Sequence, residues 1–189
     1  MTCKVKGVVM KRGLSMVVVL AWAALVARGA TLVQLGLDEM IEKSTAIVRG
    51  QVSGSYAATH GSIIYTHYRV QVVERWKGPA TAELDIVVPG GSAGGLRMTF
   101  PDSPKLTEGG EYVLFLWKGS SGLTNIIGWS QGIFDLKRDR EGGTLAARPA
   151  SRDTMLDAAG RLVKDEPVLM RLQDLRERIS SGVVRGARK

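Results

Sequence analysis

The sequence predicts a mainly β domain, an antiparallel sheet closed into a barrel or sandwich, with a short helix before it and a helical tail after it. Apolar residues alternate with a period of two between Thr45 and Ala147. The alternating runs are short and are punctuated by Gly, Pro and acidic turns. Helical periodicity appears only in the flanks, at 37–44 and beyond Ser151. Of the 189 residues, 44% are apolar and 23% charged, a globular balance that excludes disordered, collagenous and multispan membrane classes.

Leu37, Met40, Ile41 and Ser44 share one helical face, with Asp38 and Glu39 early, where the helix dipole favours acids. A strand is expected over Ala46–Val52, then a Gly/Ser/Thr-rich loop through Gly61. The long run after it sets Ile64, Thr66, Tyr68, Val70 and Val72 against Ile63, Tyr65, His67, Arg69 and Gln71. The first set faces a core and the second forms a mixed outer face. Leu84, Ile86 and Val88 mark the next strand, closed by Pro89-Gly90-Gly91, and residues 96–100 a short one closed by Pro101 and Pro104. Tyr112–Trp117 is apolar on both faces and should be the most buried strand. Strands over 123–129, 133–137 and 144–147 complete the set, the last two joined at Glu141-Gly142-Gly143. In the tail, Asp165-Glu166-Pro167 signals a helix start, Val168, Leu172, Leu175 and Ile179 form its stripe, and Gly182 ends it. The stripe is expected to pack on the barrel rather than on a partner or a membrane surface. A weaker helix is expected over 151–163, with Met155, Leu156, Ala159 and Leu162 as its stripe.

Ahead of all these elements, Lys11-Arg12 precedes the apolar run 14–26, in which only Ser15 is polar. That run is too short for a spanning helix, which needs about 20 apolar residues. A basic start, a short apolar core and small residues at Ala27-Arg28-Gly29 make a secretory signal peptide cleaved after Gly29. A retained anchor is the alternative, and Met10 an alternative initiator. Residues 1–29 are thus read as signal, 30–150 as a β-barrel-like domain and 151–189 as a helical C-terminal appendage. The destination is periplasmic or secreted. Cys3 lies before the apolar core, so it is not a lipoprotein acylation site, and the mature chain carries no cysteine. An internal disulfide framework and a cysteine-built zinc site are excluded.

The net charge of +8 would suggest nucleic acid if it were clustered. Instead Lys4, Lys6, Lys11, Arg12 and Arg28 all fall in the signal segment, and residues 30–150 hold 12 basic and 12 acidic side chains. No nucleic-acid partner is expected, and no stable membrane span after signal cleavage.

Several motifs occur in a fixed order: Ala46-Ile47-Val48-Arg49-Gly50-Gln51-Val52, Thr66 through Trp76-Lys77-Gly78, Pro89-Gly90-Gly91, Gly109 through Leu116, and Gly128 through Gln131-Gly132. In this the chain resembles a group of uncharacterised exported bacterial β-domain proteins, over roughly residues 37–139. At fold level it also resembles the OB-like barrel of tissue inhibitors of metalloproteinases and netrin-like modules, which implies an OB-like barrel here. Those inhibitors chelate a target's zinc through a processed N-terminal cysteine. The mature chain has none, so their inhibitory residues are not carried over.

Catalytic signals fail on context. Gly90-Gly91-Ser92-Ala93-Gly94 matches a nucleophile-elbow pattern, but that elbow needs a helix after it and a histidine later in the chain. The residues after Gly95 read as strand, and both histidines, His60 and His67, precede Ser92. The two imidazoles stand on different elements and set up no zinc site; they are expected to be solvated. No phosphate loop, dinucleotide fingerprint or calcium loop occurs, so no cofactor and no metal are expected. Tyr65, His67, Arg69 and Gln71 would instead project together from one strand face, about 7 Å apart, able to stack on and hydrogen-bond a sugar or peptide. Gly90, Gly91, Gly94 and Gly95 could let a ligand approach backbone amides. The sequence therefore reads as an exported, non-catalytic binding module for an envelope or extracellular protein or polysaccharide. A protease-inhibitor-like module is the second reading, and a serine hydrolase using Ser92 the third.

Overall fold

The structure, a computed structural model, describes residues 31–187. The expected signal peptide lies outside the described residues. In chain order the elements are β1 (Thr31–Val33), α1 (Leu37–Lys43), β2 (Ala46–His60), β3 (Ile63–Lys77), β4 (Glu83–Pro89), β5 (Gly91–Ala93), β6 (Leu96–Met98), β7 (Glu111–Lys118), β8 (Thr124–Ile126), a 3-10 turn (Trp129–Gly132), β9 (Ile133–Arg138), β10 (Thr144–Arg148), β11 (Thr154–Leu156), β12 (Leu162–Val163), β13 (Val168–Arg171) and α2 (Leu172–Gly186).

The main sheet closes on itself, which settles barrel over sandwich. β7, β2, β3, β4 and β8 are hydrogen-bonded in that order, and β8 pairs back onto β7 through Leu116↔Ile126 and Lys118↔Thr124. The result is an OB-like five-stranded barrel. It is not wholly antiparallel. Alternating directions cannot close a ring with an odd number of strands, and the mismatch falls at β4 and β8, which run parallel through Ile86↔Thr124 and Val87↔Asn125. The other half of β7's edge carries β9, through Val113↔Phe134, and β10 and β13 extend the sheet beyond it.

β2 differs from the sequence reading. It does not end at Val52 but runs to His60, and the expected loop is strand paired with β3. Small and polar residues hid it, because a strand that meets a long partner draws on ladder hydrogen bonds rather than apolar burial. Register shifts near Val48, Gly50 and Gly54 bend this hairpin of two fifteen-residue strands around the barrel.

Two cores share β7 as their wall. Tyr112, Leu114 and Leu116 point into the barrel with Val48, Val70, Ile86 and Val88. Val113 and Phe115 point outward into a second core with Ile47, Phe134, Met40, Ile41, Leu175 and Ile179. Val113 through Leu116 are all fully buried, as two apolar faces require. α1 and α2 cover this outer core. α1 buries Met40 and Ile41, and Lys77 donates to the carbonyls of Ile41 and Glu42 at its C-terminal end, where the dipole favours a cation.

The tail over 151–187 is not helical throughout. Residues expected as a weak helix form β11 and β12, and β11 lies parallel to β1 in a small separate sheet. The helix expected from Pro167 begins at Leu172, because Val168–Arg171 completes the free edge of β10 as β13. Asp165 is no helix cap. Its carboxylate takes a two-pronged ion pair from Arg148, at 2.8 and 3.1 Å, plus the Ser151 N–H at 2.8 Å. The helix also runs through Gly182, which lies so close to Ile41 that a Cβ there would stand 2.8 Å from Ile41 Cγ2. Its stripe packs on the barrel: Leu175 and Ile179 are fully buried.

Candidate functional site

The outer face of the β2–β3–β4 wall is built by register. Cross-strand partners share a face, so the rows read Gln71 with Glu83, Arg69 with Gly54 and Asp85, His67 with Tyr56 and Val87, and Tyr65 with Ala58 and Pro89. All four expected residues of β3 therefore stand on one side, as the period of two dictates. Arg69 and Gln71 are exposed and Tyr65 half-buried.

His67 corrects the expectation of a solvated imidazole, for only 9% of the residue is exposed. Tyr56 stacks over it, with ring centroids 4.6 Å apart and planes 18° apart. His67 Nδ1 lies 2.8 Å from Asp85 Oδ2, and the Tyr56 hydroxyl donates to the same oxygen at 3.1 Å. A carboxylate only accepts, so Nδ1 carries the proton and the ring is oriented from both sides. Partial burial first, and then the Asp85 carboxylate, push the Tyr56 phenol above its ordinary value, against the pull of Arg69. The sequence pattern does not single out Tyr56 or Asp85, because the segment holding Tyr56 has the composition of a loop. The turn signal Gly61-Ser62, directly after His60, is the available clue to a hairpin.

Asp85 and His67 resemble the orienting half of a catalytic triad, but among the described residues no serine or cysteine is hydrogen-bonded to His67. Among the described residues, too, no group of three or more His, Cys, Asp and Glu is placed to hold a metal ion. No protein-family model matches the chain, and no curated protein matches it.

The glycine segment lies elsewhere. Gly90 stays tied to β3, its N–H donating to the Ile64 carbonyl and its own carbonyl accepting from Thr66 Oγ1, both at 2.8 Å. β5 and β6 then form a small hairpin. Gly94 and Gly95, at φ +57° and +76°, make its two-residue turn, which demands positive φ at both positions. The hairpin packs by Gly91 against Ala57, Ile64 and Thr66, side chains at one end of the barrel. Gly90, Gly91, Gly94 and Gly95 thus cap a barrel end and do not join the Tyr65–Gln71 face into one pocket.

A polar groove of about 960 Å³ lies between α2 and the β9–β10 turn. Arg49 on its wall is bracketed by Glu111 and Glu74, each at 2.7 Å. The Trp76 N–H, then Arg49 and Arg176, hold the Glu74 carboxyl below its ordinary range despite the burial that pushes it up. Arg49, Glu74, Glu111 and Arg176 thus satisfy one another in a structural network on the groove's wall.

Proposed function

We propose that the chain is an exported, non-catalytic binding module of the cell envelope or extracellular space, with the outer face of β2, β3 and β4 as its ligand surface. The observation that supports this is the ordered cluster of Tyr56, His67 and Asp85 beside Arg69. Tyr56 is 45% exposed and is held flat by His67 and Asp85, although neither core needs it. Fixing an aromatic face in advance, beside a guanidinium, lowers the ordering cost of binding. The barrel interior is filled by side chains, which directs a ligand to the outside. Export rests on the basic start and apolar core of residues 11–29.

The test is retention of envelope material on the immobilised full chain, compared with a Tyr56→Ala/Arg69→Ala variant, together with fractionation of the producing cells. Retention of one protein or polysaccharide that disappears in the variant supports the reading. Equal retention by both proteins, or a chain found only in the cytoplasm, overturns it.

A further inference from the structure

β8 and β9 run along β7 as one broken strand. Leu116 faces Ile126, the Ile127 N–H still donates to the Phe115 carbonyl at 3.0 Å, and Leu114 faces Ile133, so residues 128–132 bulge out of the ladder. The excursion is firmly held. Buried Gln131 accepts the Leu35 N–H at 2.8 Å and donates to the Val33 carbonyl at 3.0 Å. Within it Trp129 sits at φ +59°, a conformation that bulky L side chains resist. Trp129 is only half-buried, so core packing does not account for the strain. Strain of this kind gathers at functional positions.

Trp129 faces a cleft of about 290 Å³ whose walls include Trp117, Val87, Pro89, Pro104 and Asn125. The cleft continues the ligand face around the barrel, since His67 neighbours Val87, Val87 neighbours Asn125, and Asn125 neighbours Trp117. No ionisable side chain lines it. Asn125 Nδ2 donates to the Leu123 carbonyl at 3.1 Å, which fixes the orientation of the amide, because a carbonyl only accepts. Among the described residues neither its Oδ1 nor the indole N–H of Trp117 or Trp129 has a protein partner.

We infer that this cleft binds a neutral pyranose unit of an oligosaccharide, stacked on Trp117 and Trp129 and hydrogen-bonded by Asn125. The inference rests on the binding-module reading and adds a subsite and a ligand class. A pyranose offers apolar C–H faces to the indoles and hydroxyls that both donate and accept. A proline-rich peptide would suit the walls and the indole donors, but it lacks the N–H groups that Asn125 Oδ1 needs. An anionic ligand would find no cation.

The experiment titrates the full chain with cellotetraose, chitotetraose and decaproline, read by indole fluorescence and calorimetry. Saturable binding of at least one tetrasaccharide is expected, weakened about tenfold or more in Trp117→Ala and in Trp129→Gly, the loss of one aromatic wall. Glycine keeps the left-handed backbone at 129, and unchanged circular dichroism certifies the fold. No binding of either sugar, binding unaffected by both variants, or binding of decaproline in their place overturns the inference. If envelope retention persists in both tryptophan variants while Tyr56→Ala/Arg69→Ala abolishes it, the cleft inference fails alone. If the wild-type chain retains nothing, the module reading fails with it.

Discussion

The barrel and the small tail sheet are held together by different physics. In the barrel, β7 is buried on both faces, and its neighbours on either side supply further apolar layers. In the tail sheet of β1, β11 and β12 only Met155 is a buried apolar residue, while Val33 and Leu162 are 54% and 76% exposed. Its attachment depends on polar ties: the buried Arg148–Asp165 pair with the backbone groups around it, and buried Gln131, which bonds the Val33 carbonyl and the Leu35 N–H. Apolar burial accumulates with area and is shared among many residues; a buried ion pair concentrates its effect in two. The two regions should therefore fail differently.

The largest effects belong in β7. Phe115→Ala should cost about 3–5 kcal/mol and Leu114→Ala about 2–5 kcal/mol, through lost burial plus a residual cavity. Both losses should appear as lower denaturation midpoints of one global transition. A large loss for Leu114→Ala with none for Phe115→Ala would mean that the outer core under the helices contributes little.

Breaking the ion pair should instead release the tail. Asp165→Ala leaves the buried Arg148 guanidinium without a counter-charge, and one-sided removal of this kind costs about 3–5 kcal/mol. Arg148 Nε already lacks a partner, so local relief is limited. Hydrogen exchange should speed up in β1 and β11 well before it does in β7. Replacing both partners, Arg148→Met with Asp165→Leu, should recover most of the loss. Acid should do the same as the single mutation. Burial pushes the Asp165 carboxyl up, but the Arg148 guanidinium, the Ser151 N–H and Gln34 outweigh it, and the net shift is downward. A depressed carboxyl contributes stability that is complete above its unfolded value, about pH 4, and is lost as pH falls through its lower folded value. Exchange in β11 should accelerate below about pH 4 in the native chain, and Asp165→Asn should abolish that step.

The same contrast marks what was legible in the sequence. Strands with an apolar face against the core announced themselves: the Ile64–Val72 run lies where the alternation placed it, and Tyr112–Trp117 where the continuous apolar run did. The second half of β2 did not, because Ser53, Ser55 and Ala57 offer little apolar pattern and the segment is held by pairing with β3. Nor did the tail. Asp165 has the look of a helix cap, and only the distant Arg148 turns it into the knot of a sheet. The candidate surface was half visible. Period two placed Tyr65, His67, Arg69 and Gln71 together, but Asp85 joins them through the register of β3 with β4, and Trp117 and Trp129 reach the surface through barrel closure, which a linear pattern does not encode.

A smaller effect separates strain from packing at Trp129. Alanine and glycine both remove the indole, but only glycine takes φ +59° without a steric penalty. Trp129→Gly should therefore be more stable than Trp129→Ala by about 1 kcal/mol, the reverse of the usual order of the two residues. Equal melting temperatures would show that the backbone relaxes to negative φ once the indole is gone.

The smallest effect is expected at Ser92, and it bears on the hydrolase reading. Ser92 is exposed in the middle of β5, opposite Arg97 in the hairpin that caps the barrel end, and makes no side-chain hydrogen bond among the described residues. A nucleophile needs a base within hydrogen-bond reach, and among the described residues no histidine is hydrogen-bonded to Ser92. Ser92→Ala should change stability by less than about 0.5 kcal/mol, as surface substitutions away from special features do. Its neighbour provides the contrast within one hairpin. Gly91 has φ +139°, and a Cβ there would meet Thr66 Oγ1 at 2.9 Å and Ala57 Cβ at 3.1 Å, so Gly91→Ala should lower the melting temperature clearly. A fluorophosphonate probe should leave Ser92 unlabelled. Labelling that Ser92→Ala abolishes would make the hairpin a catalytic element and the cap reading untenable.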